Sequence, residues 1–154
     1  MTNFYGQYVG FGAGGVAAGY TYQGSNYGYT YGGTYPVSTD VQQYSFTSDG
    51  NGTDVGDQSV ARHSYAASSS LIHGFSFGGG NAWFDVIDKF PFASSAGFTM
   101  SDVGNLTQTK GYVSGHSSDG YGWCSCGWNG TTLDVIDQIS HSSDGDATDW
   151  ANLY

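Results

Sequence analysis

The fold is decided by residues 27–33, Tyr-Gly-Tyr-Thr-Tyr-Gly-Gly, because this stretch returns twice along the chain. Residues 73–79 read His-Gly-Phe-Ser-Phe-Gly-Gly and residues 121–127 read Tyr-Gly-Trp-Cys-Ser-Cys-Gly, so the copies begin 46 and 48 residues apart. Each copy alternates large and small side chains, as a β-strand does, and ends on turn-forming glycine. Similarity at such a period is the sequence signature of a repeat architecture.

Further motifs recur in the same order downstream of each copy. Val41-Gln42 corresponds to Ile87-Asp88 and Ile136-Asp137, residues 54–57 correspond to 102–105 and 149–152, and Arg62 corresponds to Lys110. We therefore divide a single repeat domain, 1–154, into a partial unit (1–26), two units (27–72 and 73–120) and a second partial unit (121–154). Recurrence predicts a structural role, not a ligand-binding one, for Gly32, Gly33, Gly78, Gly79, Asp88, Asp137, Arg62 and Lys110.

The composition predicts an all-β protein. The 154 residues include 26 glycines and 26 aromatic residues, whereas leucine occurs four times and all 13 acidic residues are aspartate. Strong helix formers are thus scarce, and residues that suit a pleated sheet are plentiful. We expect less than about a tenth of the chain to be helical. Strands are predicted near residues 26–31, 72–77, 83–90, 121–126 and 132–139.

Each unit contains four short strand candidates separated by glycine, asparagine, aspartate and serine. In the middle of the chain these candidates are residues 64–68, 73–77, 83–92 and 103–107. Such spacing is typical of an antiparallel meander. Tandem four-stranded meanders form the blades of a β-propeller, and this chain has length for about three blades. Since ordinary propellers have more, we expect the propeller to be completed by oligomerisation.

These residues resemble a kelch repeat. Residues 62–67 place an arginine before small residues, residues 74–79 form an apolar strand ending in Gly-Gly, and residues 85–90 hold an apolar-Asp pair followed by an aromatic residue. Residues 86–107 are also similar to kelch-like repeats of phage and environmental-sequence proteins, usually uncharacterised or virion-associated. The resemblance covers about the whole chain and implies a β-propeller fold. Gln42 and Cys126 depart from the pattern.

The charge balance excludes several functions. Arg62, Lys89 and Lys110 are the only basic residues apart from histidine, and the formal net charge is −10. Three cations cannot form the basic surface that nucleic acids need, and an anionic membrane would repel the chain. The first residues have no basic region of the kind that begins a signal peptide. We therefore expect export by another route, or release inside a particle, and a location outside the cell or on a virion surface.

No pattern of catalytic residues is present, and we expect no enzymatic activity and no cofactor. The histidines, His63, His73, His116 and His141, show no metal-binding spacing, and none occupies the same place in two units. Some kelch propellers are copper oxidases that use a cysteine-linked tyrosine and histidine ligands. In this chain, Cys124, Cys126, His116 and His141 would carry that alternative. Cys124 and Cys126 themselves are expected to be small buried thiols, with a strained disulfide as the alternative.

Two kinds of polar loop invite a ligand or a modification. Asp49, Asp54 and Asp57 lie in a glycine-rich loop and are candidates for Ca²⁺, although turns require the same residue types. Three Asn-x-Thr sequons, candidates for glycosylation, stand at Asn51, Asn105 and Asn129.

The sequence points to a structural protein that binds itself, with a carbohydrate-binding, oligomeric propeller lectin as the alternative. Aromatic residues exceed what a small core uses, and such residues concentrate at protein interfaces. The first and last residues look like complementary parts of one blade. We expect them to pair between chains in a two-chain, six-bladed ring or in an open polymer, burying Phe4, Tyr5, Tyr8, Trp150 and Tyr154. Deleting residues 1–20 should then abolish assembly.

Overall fold

The computed structural model describes residues 26–33, 36–80 and 82–154. The predicted partial unit at 1–26, apart from its last residue, and the predicted interface residues Phe4, Tyr5 and Tyr8 lie outside the described residues. The described part contains no helix and has twelve strands. These are β1 (Tyr27–Tyr31), β2 (Asp40–Ser45), β3 (Thr53–Asp57), β4 (Ala66–Ser69), β5 (His73–Gly79), β6 (Phe84–Pro91), β7 (Phe98–Thr99), β8 (Ser101–Asn105), β9 (Ser114–Ser117), β10 (Tyr121–Ser125), β11 (Val135–Ser140) and β12 (Thr148–Asn152).

The strands form three four-stranded sheets within the described residues, which confirms the predicted all-β class. Sheet 1 has the order β1-β2-β3-β7, sheet 2 the order β4-β5-β6-β8, and sheet 3 the order β9-β10-β11-β12. All pairings are antiparallel except that of β7, which runs parallel to β3. The five strands expected from the aromatic and apolar motifs coincide with β1, β5, β6, β10 and β11.

The sheets are offset from the units read in the sequence. Sheets 2 and 3 each begin with a small-residue strand, β4 or β9, rather than with the glycine-containing strand that follows it. Residues 121–154 therefore supply three strands of sheet 3, and β9 provides the fourth. In sheet 1 the corresponding place lies beside β1, which is an edge strand among the described residues.

Backbone hydrogen bonds join neighbouring sheets. The donors lie in the loop that leads into β8 of sheet 2 or into β12 of sheet 3. Gly97 N–H donates to Val55 O at 2.8 Å, which places β7 beside β3. At the next boundary, Gly145 N–H donates to Val103 O at 2.9 Å. At the first boundary, Gly56 on β3 allows β7 to come close, since a Cβ on Gly56 would collide with the Phe98 carbonyl oxygen. The sequence predicts no strand between the candidates at residues 83–92 and 103–107, so β7 is an addition to the predicted strands.

A glycine beneath an aromatic ring repeats on β1 of sheet 1 and on β5 of sheet 2. Gly28 pairs with Tyr44 and Gly74 with Phe90, and in each case a Cβ on the glycine would collide with the partner's ring. The absent side chain lets the ring lie over the backbone, which is how aromatic residues stabilise glycines in sheets. This contact explains the glycine at the second position of the repeated stretch.

A left-handed residue ends the same strand in all three sheets. The φ angles of Gly32, Gly78 and Cys126 are 54°, 61° and 62°. A Cβ on Gly78 would come within 2.6 Å of the Lys110 carbonyl oxygen, so the turn also needs close backbone approach. Cys126 adopts this conformation with a side chain, at a cost of about 1–2 kcal/mol.

The core lies between the sheets, in one cluster at each boundary. Between sheets 1 and 2 the buried cluster consists of Val41, Phe90 and Met100, with Tyr29, Tyr31, Val55, Phe92 and Phe98 packed against it. Between sheets 2 and 3 it consists of Ala66, Phe75, Phe77, Ile87, Leu106, Cys124, Ile139 and Ala147, with Val103 and Val113 packed against it. Each sheet thus buries its hydrophobic surface against a neighbour, as repeat proteins do.

Candidate functional site

The recurring cation and aspartate meet in a buried ion pair within sheet 2. Arg62 and Asp88 are both 0% exposed, and their side chains lie 2.8 Å apart. The guanidinium also donates to Ser76 Oγ at 2.7 Å, to Val86 O at 3.1 Å and to Gln58 Oε1 at 3.2 Å. Arg62 precedes β4, and Asp88 lies on β6. The ion pair therefore holds the segment that leads into β4 against the central strand β6 of sheet 2.

Sheet 3 repeats the pair with lysine. Lys110 Nζ lies 2.9 Å from Asp137 Oδ2, and both side chains are 0% exposed. The ammonium also donates to the carbonyls of Cys124 and Val135 at 3.3 and 3.4 Å, and Asp137 Oδ1 accepts a hydrogen bond from Thr107 at 2.5 Å. Both pairs are closed to solvent, so neither carboxylate can reach a substrate.

Sheet 1 lacks both members of the pair. Gln42 takes the place of the aspartate and is exposed, and no lysine or arginine precedes Arg62 in the sequence. Joint loss is physically consistent, because one buried charge without its partner is far more costly than neither. Recurrence in the sequence marks the four charged positions but does not show that they pair.

Burial dominates the electrostatics of the pair in sheet 2. It raises the pKa of Asp88, although Arg62 and a hydrogen bond from the Ser59 N–H at 3.1 Å both oppose the shift. It likewise lowers the pKa of Arg62, against the attraction of Asp88. A desolvated, internally paired carboxylate of this kind is a structural group rather than an accessible acid or base.

Of the four histidines, His73 and His141 lie close together, whereas His63 and His116 lie apart from them. His116 is exposed on β9, and His63 Nδ1 lies 2.9 Å from Ser64 Oγ. His73 and His141 meet at the boundary between sheets 2 and 3, where both contact the ring of Phe75. Across the described ranges, no group of three or more His, Cys, Asp or Glu residues is placed to hold a metal ion. The four residues named for the copper alternative therefore make no such group.

Two of the three Ca²⁺ candidates accept hydrogen bonds from groups of the protein. Asp54 Oδ1 accepts the Gly56 N–H at 3.2 Å across the β-bulge of β3, and Asp102 does the same for Gly104 at 3.2 Å in β8. Asp57 accepts the Thr39 hydroxyl at 2.5 Å. Asp49 is exposed in the loop between β2 and β3.

The sequons differ in their accessibility. Asn51 lies in the exposed loop between β2 and β3. Asn105 bonds to Asp146 of the neighbouring sheet through its backbone and side chain, at 2.9 and 3.4 Å. Asn129 Nδ2 donates to Thr109 O at 3.1 Å.

The two cysteines are free thiols in different surroundings. Cys124 is buried and Cys126 is half-buried. Burial raises the pKa of Cys124 to about 12, so this thiol stays protonated. The predicted small buried thiol is thus found at Cys124 but only in part at Cys126.

The outward face of sheet 3, formed by Tyr121, Trp123, Ile136 and Trp150, is a partly exposed apolar surface. Tyr121 and Trp150 are 45% and 61% exposed, and Tyr121 and Trp123 have ring centroids 6.2 Å apart. The repeat places Trp150 at the position of Val55 and Val103. Those two valines pack into the inter-sheet clusters, because the bulges in β3 and β8 turn them toward the next sheet.

None of the described part is a helix long and apolar enough to cross a membrane. In comparisons with known proteins, no family model matches this chain and no curated protein matches it.

Proposed function

We propose that this protein is a non-enzymatic structural repeat protein that associates with further copies of itself through the outward face of sheet 3. The observation that carries the proposal is the exposure of Trp150 and its neighbours on that face. The counterparts of Trp123, Ile136 and Trp150 on sheets 1 and 2 pack into the clusters between the sheets. Covering an aromatic face of this kind lowers the free energy of the system, because apolar surface is removed from water. Large exposed apolar surfaces therefore mark interaction sites.

The contact uses the face of sheet 3 rather than the edge of β12, a strand that pairs with β11 alone among the described residues. Gly56 and Gly104 admit the backbone of the next sheet because they have no Cβ. Ala151 holds the equivalent place on β12, and its methyl group would meet an incoming carbonyl. Another copy therefore cannot repeat the backbone bonding that joins the internal sheets. The proposal favours face packing over the strand pairing between termini that the sequence predicts.

Association should depend on salt, since each copy carries a net charge of −10. Like-charged chains repel one another, and physiological salt screens this repulsion beyond about 8 Å. Packing of aromatic rings is not weakened in this way. Self-association should therefore strengthen as salt is added, which is opposite to the behaviour of a contact held by ion pairs.

The test is sedimentation velocity of the whole chain at increasing concentration, on the wild type and on Trp150→Asp. The wild type should shift to larger species, and the variant should remain at the size of a single chain. Ile72→Asp is the matched control: Ile72 is 64% exposed, lies on the turn between β4 and β5, and acquires the same charge. The control should associate as the wild type does. A wild type that sediments as one chain at every concentration would contradict the proposal.

Exposed aromatic rings on a sheet also suit a sugar chain, which is the alternative that the sequence leaves open. Stacking of Tyr121, Trp123 and Trp150 on pyranose rings would make the same face a polysaccharide site. A glycan array distinguishes the two functions. Selective binding by a single-chain wild type, lost in Trp150→Asp, would favour the lectin. An extracellular or virion-surface location belongs to the proposal and rests on the kelch-like resemblance.

A further inference from the structure

The two boundaries of the array use different rings in the same place. At the boundary of sheets 1 and 2, Phe92 stacks on Tyr29 with centroids 5.4 Å apart and an interplanar angle of 20°. At the boundary of sheets 2 and 3, His141 stacks on Phe75 with corresponding values of 4.9 Å and 19°. His141 follows β11 as Phe92 follows β6, so a ring that can be charged replaces one that cannot.

The surroundings of His141 favour the neutral ring. Its Nε2 lies 3.2 Å from Ser68 Oγ on β4, and its Nδ1 is buried without a hydrogen-bond partner in the described ranges. His73 packs edge-on against the same Phe75, with centroids 6.2 Å apart, and its Nδ1 is also buried and lacks a hydrogen-bond partner there. Two imidazoles thus flank one phenylalanine across the boundary.

The charged groups beside the two histidines do not compensate an added proton. Lys89 of sheet 2 and Asp144 of sheet 3 form an ion pair across the same boundary, so their charges offset each other. The backbone carbonyls of Ser118 and Asp119 are the polar groups that favour protonated His141. They do not outweigh the cost of burying the cation.

We propose that the boundary between sheets 2 and 3 is an acid-sensitive joint, which loosens when His141 takes up a proton while the boundary between sheets 1 and 2 stays closed. An imidazolium whose Nδ1 is buried cannot stack on Phe75 in this half-buried site without cost, and the charge also repels His73 once that ring is protonated.

The pKa directions agree with this geometry. Burial lowers the pKa of His141, and His73 lowers it further. Burial and then Lys89 lower the pKa of His73, against the attraction of Asp144. A histidine whose pKa is lower in the folded than in the unfolded chain leaves stability intact above the ordinary value of about 6.5. That stability is then lost as the pH falls through this value toward the pKa of the folded chain.

The experiment combines two measurements on the intact chain. Proton NMR follows the imidazole of His141 against pH, and hydrogen exchange, corrected for its intrinsic pH dependence, follows peptides from β11 and β12 and from β1 and β2. The His141 pKa should lie below about 6.5, and protection of β11 and β12 should fall by about tenfold for each unit of that difference. Protection of β1 and β2 should change less.

The repeat supplies both the control and its converse. His141→Phe restores the ring used at the other boundary and should remove the acid sensitivity of β11 and β12. Phe92→His should create it in sheet 1. A pKa of His141 at or above about 6.5 in the wild type would overturn the proposal, even if neither variant folds. Equal acid sensitivity in the wild type and His141→Phe would also overturn it.

Discussion

Removing one charge of the buried pair in sheet 3 should destabilise the protein more than removing both. Lys110→Met leaves the Asp137 carboxylate, 0% exposed, with only the Thr107 hydroxyl as a partner. Asp137→Asn leaves the ammonium facing two carbonyls and no anion. Each single substitution should lower the free energy of unfolding by about 3–5 kcal/mol, the cost of an unpaired buried charge. The double variant should lose less than either, because no charge remains to be desolvated.

Urea unfolding followed by far-UV circular dichroism gives the three free energies, and the double-mutant cycle gives their coupling. We expect a coupling of at least about 3 kcal/mol. Lys89→Met is the matched control, since the partner of Lys89, Asp144, is 57% exposed and such surface pairs contribute less than about 1 kcal/mol. Additive effects in the cycle, or a loss of under about 1 kcal/mol in either single variant, would refute the reasoning.

Further predictions follow from the turns and the thiols. Cys126→Gly should raise the free energy of unfolding by about 1 kcal/mol, because it relieves a left-handed conformation, and an unchanged urea midpoint would contradict this. Gly78→Val should lower it by about 1–3 kcal/mol in the same assay, and an unaltered melting temperature would show that the turn tolerates a side chain. Iodoacetamide should label Cys126 alone in the folded chain, since the Cys124 thiol is buried with a pKa of about 12; mass spectrometry showing equal labelling would exclude this. Gly104→Ala should displace the backbone of Gly145 and speed hydrogen exchange in residues 144–147, whereas unchanged exchange there would mean that the boundary can adjust.

The strands could be predicted because their signals are local. Alternation of aromatic and small residues in 27–31 and 73–77 specifies a strand whatever lies beside it, and the glycines that follow mark its end. By contrast, β7 has two residues, and its partner β3 lies more than forty positions earlier in the sequence. No periodicity within residues 93–101 carries that information.

The contacts of the buried charged residues and of the histidines can be predicted only in part from the sequence. Arg62 and Asp88 were recognised as recurring, and the joint absence of a cation and an aspartate in the first unit was the available sign that they pair. The meeting of His73 and His141 is not predicted, because the contact joins two different sheets and neither histidine recurs at the same place in another unit. Aligning His141 with Phe92 would have indicated a stacked ring.

The bonding between sheets has a direction, with a consequence for how the chain is made. The strand β7 completes sheet 1, although it lies in the sequence between two strands of sheet 2. In the same way, the connection before β12 of sheet 3 forms backbone hydrogen bonds with β8 of sheet 2. Each earlier sheet is thus finished by residues that leave the ribosome after the next sheet has begun. In a nascent chain that ends before Phe98, β3 has no β7 to pair with. Truncation from the C-terminal side should therefore destabilise not only the sheet that loses residues but also the sheet before it.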